Sequence, residues 1–219
     1  MMESQRASLL LAVRDMAADD VDAVVDVHCR AFPEYLLTHM GRPYLRHYYS
    51  AFLTDKCHYA LVADVNEKLA GFVVGSTDVA RLHTRVYRTN ILTALGVAGR
   101  FVADPLLRRR LLAKSAHFGR TFDAMAHRTK QATPSAPSGV TTRLLSIGVS
   151  PDSQRMGIAQ KLVDAFCEKL FADGIQTVGL SVRKDNAQAI AFYERTNWQR
   201  EREEDDGIYY VRSTSQLAQ

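Results

Sequence analysis

One stretch constrains this chain more than any other: Val149-Ser150-Pro151-Asp152-Ser153-Gln154-Arg155-Met156-Gly157-Ile158-Ala159-Gln160-Lys161-Leu162. It reads as a strand end, a glycine-containing turn and the first turn of an amphipathic helix. The first N–H groups of a helix have no backbone partner and point outward along the positive end of the helix dipole. With no side chain at Gly157 and only a methyl at Ala159, an anion such as a phosphate can come close to that backbone.

Alone, the pattern Gln/Arg-x-x-Gly-x-Gly/Ala is weak, since roughly one chain in five of this length contains it by chance, often as an ordinary helix start. A second motif follows it, Asn186-x-x-Ala189-x-x-Phe192-Tyr193-Glu194-x-x-Asn197-Trp198. Its four best-defined positions coincide at about four in a million starting points, so the ordered pair is specific.

Together these residues resemble the GNAT superfamily of acetyl-CoA-dependent N-acetyltransferases. The resemblance is sharp from about Arg143 to Trp198 and rests on element order alone over residues 12 to 79. Residues 80 to 140 have no counterpart in it. It implies one α/β domain over residues 1–219, a mixed sheet of six to seven strands flanked by helices, with a helical insertion and linker at about 80–140.

The periodicities fit that order. Leu9 to Arg14 reads as a strand. Asp19 or Asp20 can cap a helix with Val21, Val24, Val25, His28 and Phe32 at helical spacing, which Pro33 ends. A loop from Glu34 to Pro43 and a short helix from Tyr44 to Leu53 come next. Tyr59–Asp64 and Leu69–Gly75 read as strands joined by a polar turn. In the insertion, helical stretches are expected near Thr89–Val102 and Pro105–Ala126, closing in the linker Thr133–Gly139. Leu144–Val149 reads as a strand, Ile158–Ala172 as a helix that Gly174 terminates, and Gln176–Val182 as a strand. Asn186–Thr196 is the last helix, and two strands around Asp205-Asp206-Gly207 finish the chain.

Acetyl transfer from a thioester to an amine needs two reactants held together, a polarised carbonyl, a neutral amine and a proton for the departing thiolate. The resemblance implies that the backbone of Gln154, Arg155, Met156, Gly157, Ile158 and Ala159 holds the pyrophosphate of acetyl-CoA. Ile147, Gly148 and Val149 would pair with its pantetheine arm, and the Val149 N–H would polarise the thioester carbonyl. Asn186 and Tyr193, seven residues apart, share one helix face. Asn186 is therefore a candidate for the pantetheine and Tyr193 for the general acid. A phenol with pKa near 10 protonates a thiolate of pKa near 8.5 uphill by about 2 kcal/mol, although a buried Tyr can also simply pack.

The chain departs from the family at Leu145, where several members carry a Glu that serves as general base. Glu34, His28, His39 and Ser146 are the substitutes the sequence offers, with Glu34, His39 and Ser146 also candidates for the acceptor site; alternatively water suffices, or the amine arrives neutral. Asn197 replaces a usual Gly, a mild change because Asn tolerates the left-handed conformation.

Between Ala80 and Val140 eleven Lys and Arg face two Asp, so the segment carries +9 in a chain of net +4. That is either a solvated helical cover or a platform for an acidic acceptor or an anionic surface. No nucleic-acid motif accompanies the charge. Cys29, Cys57 and Cys167 are odd in number and widely spaced, with no metal-ligand pattern nearby. They read as reduced core thiols of a cytoplasmic protein. The expected acceptor is a small-molecule amine, and the loop from Ala31 to Gly41 resembles acetyltransferases of surface-polysaccharide pathways, which favours an amino sugar. A homodimer is compatible with all of this. The rival expectation is a non-catalytic acyl-CoA-binding sensor or scaffold whose basic insertion docks a partner.

Overall fold

A computed structural model describes residues 10–89, 140–205 and 207–217. Strand β1 (Leu11–Asp15) leads through a 3-10 turn into helix α1 (Val21–Ala31), then α2 (Leu36–His39) and α3 (Arg42–Ala51). Strands β2 (His58–Val65) and β3 (Lys68–Ser76) form a hairpin, and α4 (Val79–Thr89) follows. The later elements are β4 (Arg143–Val149), α5 (Ile158–Ala172), β5 (Thr177–Val182), α6 (Ala187–Arg195), β6 (Gln199–Glu204) and β7 (Gly207–Ser213). This is the mixed α/β sheet that the sequence leads one to expect. Two boundaries differ. The loop after α1 contains the single turn α2, and α3 begins at Arg42 because Pro43 sits in its first turn, where a missing N–H costs nothing. Residues 79–89, taken from sequence as the edge of the insertion, form a helix whose Leu82 and Val86 are buried. The helices expected at Thr89–Val102 and Pro105–Ala126, and the linker Thr133–Gly139, lie outside the described residues.

The seven strands run in the order β1-β2-β3-β4-β5-β7-β6. Every neighbouring pair is antiparallel except β4 and β5, which are parallel and meet at one register position, Arg143 opposite Gly179. Beyond Arg143 the two central strands part. Each face of the sheet carries its own core. On one face α5 and α6 cover β2–β5 and β7 through Leu162, Phe166, Leu180, Tyr193 and Tyr210. On the other, α1, α3 and α4 pack Val24, Leu45, Tyr49 and Leu82 against Val62, Phe72 and Val74. Two small residues set the seat of α5: a Cβ at Gly71 would come within 3.1 Å of Ile158 and Leu162, and one at Gly75 within 2.4 Å of Phe166. This close approach brings the start of α5 to the end of β4.

Candidate active site

The site begins with backbone. Ser150 donates its N–H to Ala70 of β3 at 2.7 Å. In an antiparallel pair the N–H and C=O of successive residues face opposite edges, so Ser150 and Gly148 face β3, while Val149 and Ile147 face the gap where β5 has turned away. Ile147 and Val149 thus offer backbone groups with no partner strand. Gly148 does not: its peptide groups belong to the β3 pairing. Glycine is needed there for another reason, because a Cβ would lie 2.7 Å from the Phe72 ring and 3.1 Å from Phe32.

At the tip of β4, a 3-10 turn (Pro151–Ser153) leads to Gln154, Arg155, Met156 and Gly157, all exposed. Arg155 (φ 65°) and Gly157 (φ 77°) are both left-handed. Left-handed residues in a turn can direct their N–H groups to one side, the geometry of an anion-binding nest. Gly157 is the N-cap of α5 and has no side chain to cap it; the first bond across the helix start runs from the Lys161 N–H to the Gly157 carbonyl. The N–H groups of Ile158, Ala159 and Gln160 therefore have no partner within the helix. Ile158, the first residue of the helix, is 1 % exposed and anchors the helix start in the core. Arg30 at the end of α1 pairs with Asp152 and ties the loop to the opposite face of the sheet.

Asn186 caps α6, its Oδ1 accepting from the Ala189 N–H at 3.0 Å. Its Nδ2 donates to the Tyr35 hydroxyl at 3.2 Å. Tyr35 comes from the loop after α1, on the other face of the sheet, and reaches α6 across the splay; no pattern in the sequence singles it out. Tyr193 packs against Trp198, with ring centres 5.4 Å apart, and against Tyr210. Burial, and secondarily the neighbouring Tyr35 phenol, raise its pKa above the ordinary tyrosine value. It keeps its proton at neutral pH and gives it up less readily than a free phenol. Asn197 is left-handed (φ 61°), the conformation expected for the residue after the motif helix.

The acceptor candidates separate. Glu34 and His39 are exposed on the loop around α2. Ser146 sits at a β-bulge: Val74 pairs with Ser146 and Gly75 with Leu144, leaving Leu145 as the extra residue. Leu144 and Ile147 pack toward α5, whereas Leu145 packs toward α1 and α3. His28 is buried on that same side, with its Nδ1 2.6 Å from the Tyr49 hydroxyl. Burial lowers its pKa to about 4, so the imidazole is neutral.

The model of the Acetyltransferase (GNAT) family matches residues 124–198. The [ribosomal protein bS18]-alanine N-acetyltransferase of Escherichia coli K12 is 43 % identical over 51 residues, 23 % of this chain and 34 % of that protein. The match thus spans about a third of the length of the curated relative. Among solved structures, SsHAT aligns over 93 % of this chain and 98 % of its own with TM-score 0.63 and 24 % identity. The PaiA N-acetyltransferase of Thermoplasma acidophilum, in complex with coenzyme A, aligns over 93 % and 99 % with TM-score 0.57 and 10 % identity. At these identities the structures share the fold with this chain. No helix among the described residues is long and apolar enough to cross a membrane.

Proposed function

We propose that this protein transfers an acetyl group from acetyl-CoA to a primary amine by direct attack within a ternary complex. The observation that carries the reading is the open edge of β4 running straight into an uncapped helix start. The N–H groups from Arg155 to Gln160 would hold the pyrophosphate, and Ile147 and Val149 the pantetheine arm. Val149 would donate its N–H to the thioester oxygen, where negative charge grows as the amine attacks. The new C–N bond forms as the C–S bond breaks; Tyr193 gives its proton to the thiolate, and the attacking nitrogen loses one in turn. Asn186 would reach the pantetheine, and Tyr35, bonded to it, would frame the mouth on the acceptor side. Their bridge narrows it, which favours a small-molecule amine, an amino sugar being the class the loop sequence suggests. An N-terminal alanine is the second reading, supported by what the curated relative acts on.

Three free thiols, with Cys167 fully buried, suit a reducing cytoplasm. The basic segment is proposed as a platform for an acidic acceptor. Replacing Arg108, Arg109 and Arg110 with Ser should raise the acceptor KM at low salt and leave acetyl-CoA affinity alone. Thiol release from acetyl-CoA should be measured over amino sugars, polyamines and peptides beginning with alanine. Release with one class identifies the acceptor. Tight acetyl-CoA binding with no release on any amine would favour the non-catalytic sensor.

A further inference from the structure

A short file of contacts crosses the opening between β4 and β5. It starts on β4, where a Cβ at Gly148 would come 3.1 Å from the Phe32 ring. The ring centres of Phe32 and Tyr35 stand 5.0 Å apart. The Tyr35 hydroxyl then accepts from Asn186 Nδ2 at 3.2 Å, at the start of the helix that follows β5. The turn carrying both rings is fixed by its own bonds: the Tyr35 N–H donates to the Phe32 carbonyl at 3.2 Å, and the Thr38 hydroxyl donates to the same oxygen at 2.5 Å. Beyond it the Arg183 guanidinium lies 6.0 Å from the Tyr35 ring centre, and its Nε donates to Asp185 at 2.9 Å. Tyr35 is thus gripped at its backbone, its ring and its oxygen.

The amide of Asn186 decides what that oxygen can do. The Ala189 N–H, 3.0 Å away, can only donate, so the amide oxygen faces it and the amide nitrogen faces Tyr35. An amide nitrogen can only donate in its turn, so Tyr35 is the acceptor in the bridge and keeps its own proton. No acceptor for that proton stands among the described residues. A hydroxyl that already accepts a hydrogen bond is polarised by it and donates more strongly. Tyr35 is half-buried, so the proton is presented in the opening and not to bulk solvent on every side.

We propose that Tyr35 is a specificity residue whose hydroxyl donates to an oxygen of the acceptor, so that the substrate is a hydroxylated small amine such as an amino sugar. The inference rests on the acetyltransfer reading above and names its acceptor. Tyr35 meets α6 at Asn186, two turns and about 10 Å along the helix from Tyr193, the residue proposed to meet the sulfur. The nitrogen that attacks the thioester belongs to the Tyr193 end. The oxygen that Tyr35 reaches therefore lies across the acceptor from the nitrogen, about a sugar ring away, and not on the neighbouring carbon. That oxygen is a neutral one, because Arg183 and Asp185 offset each other and leave no net charge beside the ring. A site built to bond a substrate hydroxyl rejects the analogue that lacks it, whose binding leaves the donor unmatched.

Two ring amines test the assignment. trans-4-Aminocyclohexanol and cyclohexylamine share ring and amine and differ by one hydroxyl on the far carbon. The wild-type protein should use the alcohol with kcat/KM about tenfold above the plain amine. Where turnover is too slow to follow, the same ratio is read from their inhibition constants against the amine that releases thiol fastest in the panel above. 2-Aminocyclohexanol, with its oxygen beside the nitrogen, should behave like cyclohexylamine. Tyr35→Phe keeps the ring contacts and should bring the ratio of alcohol to plain amine near one. Equal values for the two amines in the wild type, or a loss of equal size on both in Tyr35→Phe, would refute the role of Tyr35. So would a preference for a polyamine, or for a peptide beginning with alanine, over every hydroxylated amine. A wild-type protein that binds acetyl-CoA but acetylates no amine refutes the transfer reading itself, whereas acetylation without discrimination refutes the specificity alone.

Discussion

The tip of β4 and the mouth formed by Asn186 and Tyr35 are built in opposite ways. The tip is a backbone site: free N–H groups at Ile147 and Val149, two left-handed residues and an uncapped helix start, all within one continuous stretch. The mouth is a side-chain site, where Asn186 at the start of α6 meets Tyr35 from the loop after α1. A backbone site tolerates few residue types at few positions and is disabled by filling space. A side-chain site distributes its role over several groups and weakens by degrees when one is altered.

The largest effect should come from filling the backbone site. Gly157→Glu puts a side chain and a negative charge in open space beside the nest, and acetyl-CoA affinity should fall at least about a hundredfold by calorimetry. Gly174 is the matched control, since it is also left-handed (φ 79°) and a Cβ there would meet nothing within 4 Å. Gly174→Glu should incur similar backbone strain of about 1 kcal/mol and leave affinity unchanged. Equal losses in both variants would reduce the nest to a matter of strain.

Next comes the one side chain given a chemical step. Tyr193→Phe should lower kcat by about a hundredfold while the acetyl-CoA dissociation constant moves by only a few-fold. Wild-type turnover would leave Tyr193 as packing against Trp198 and Tyr210. A smaller effect is expected at the mouth, where Tyr35→Phe removes the bond to Asn186 but keeps the ring. Acceptor KM should rise by roughly threefold to tenfold with kcat nearly constant. A change in acetyl-CoA affinity instead would assign Tyr35 to the backbone side of the comparison.

The smallest effect is on stability. His28 titrates near 4 in the fold and near 6.5 when unfolded, so the unfolded chain binds the extra proton between those values. The contribution is complete above about pH 6.5 and is lost as pH falls toward 4, by on the order of 3 kcal/mol. Denaturant unfolding at about pH 7 and about pH 4.5 should show a larger drop for wild type than for His28→Phe. Equal drops would mean that the imidazole is not held neutral.

The same contrast explains what can be read from the residues alone. The glycine turn before α5 and the Asn186–Tyr193 helix are local patterns whose geometry follows from spacing, and α5 falls on the residues that its apolar stripe outlines. Gly148 departs from expectation because alternation along β4 depends on which residue pairs with Ala70, a fact that lies in another strand. Asn186 faces the cleft while capping its own helix, a second role that spacing does not show. Tyr35 and Tyr49 are not legible, because an aromatic residue in a loop or on a helix stripe looks the same whether it fills space or ends a hydrogen-bonded line. His28 is visible as an apolar-face histidine, but its partner lies one helix away.

The single register position joining β4 to β5 has a further consequence. A sheet interrupted at its centre has two interior edges as well as two outer ones, and bare edges ordinarily invite pairing with a foreign strand. Here the two strands diverge from a shared corner, with α1 and α5 walling the two faces, so a second protein strand would have to thread the wedge end-on. The amides of Ile147 and Val149 should consequently exchange with deuterated solvent faster than those of Gly148 and Ser150, their immediate neighbours in the chain. Protection would alternate residue by residue along one strand, and whatever slender molecule fills the wedge would erase the alternation.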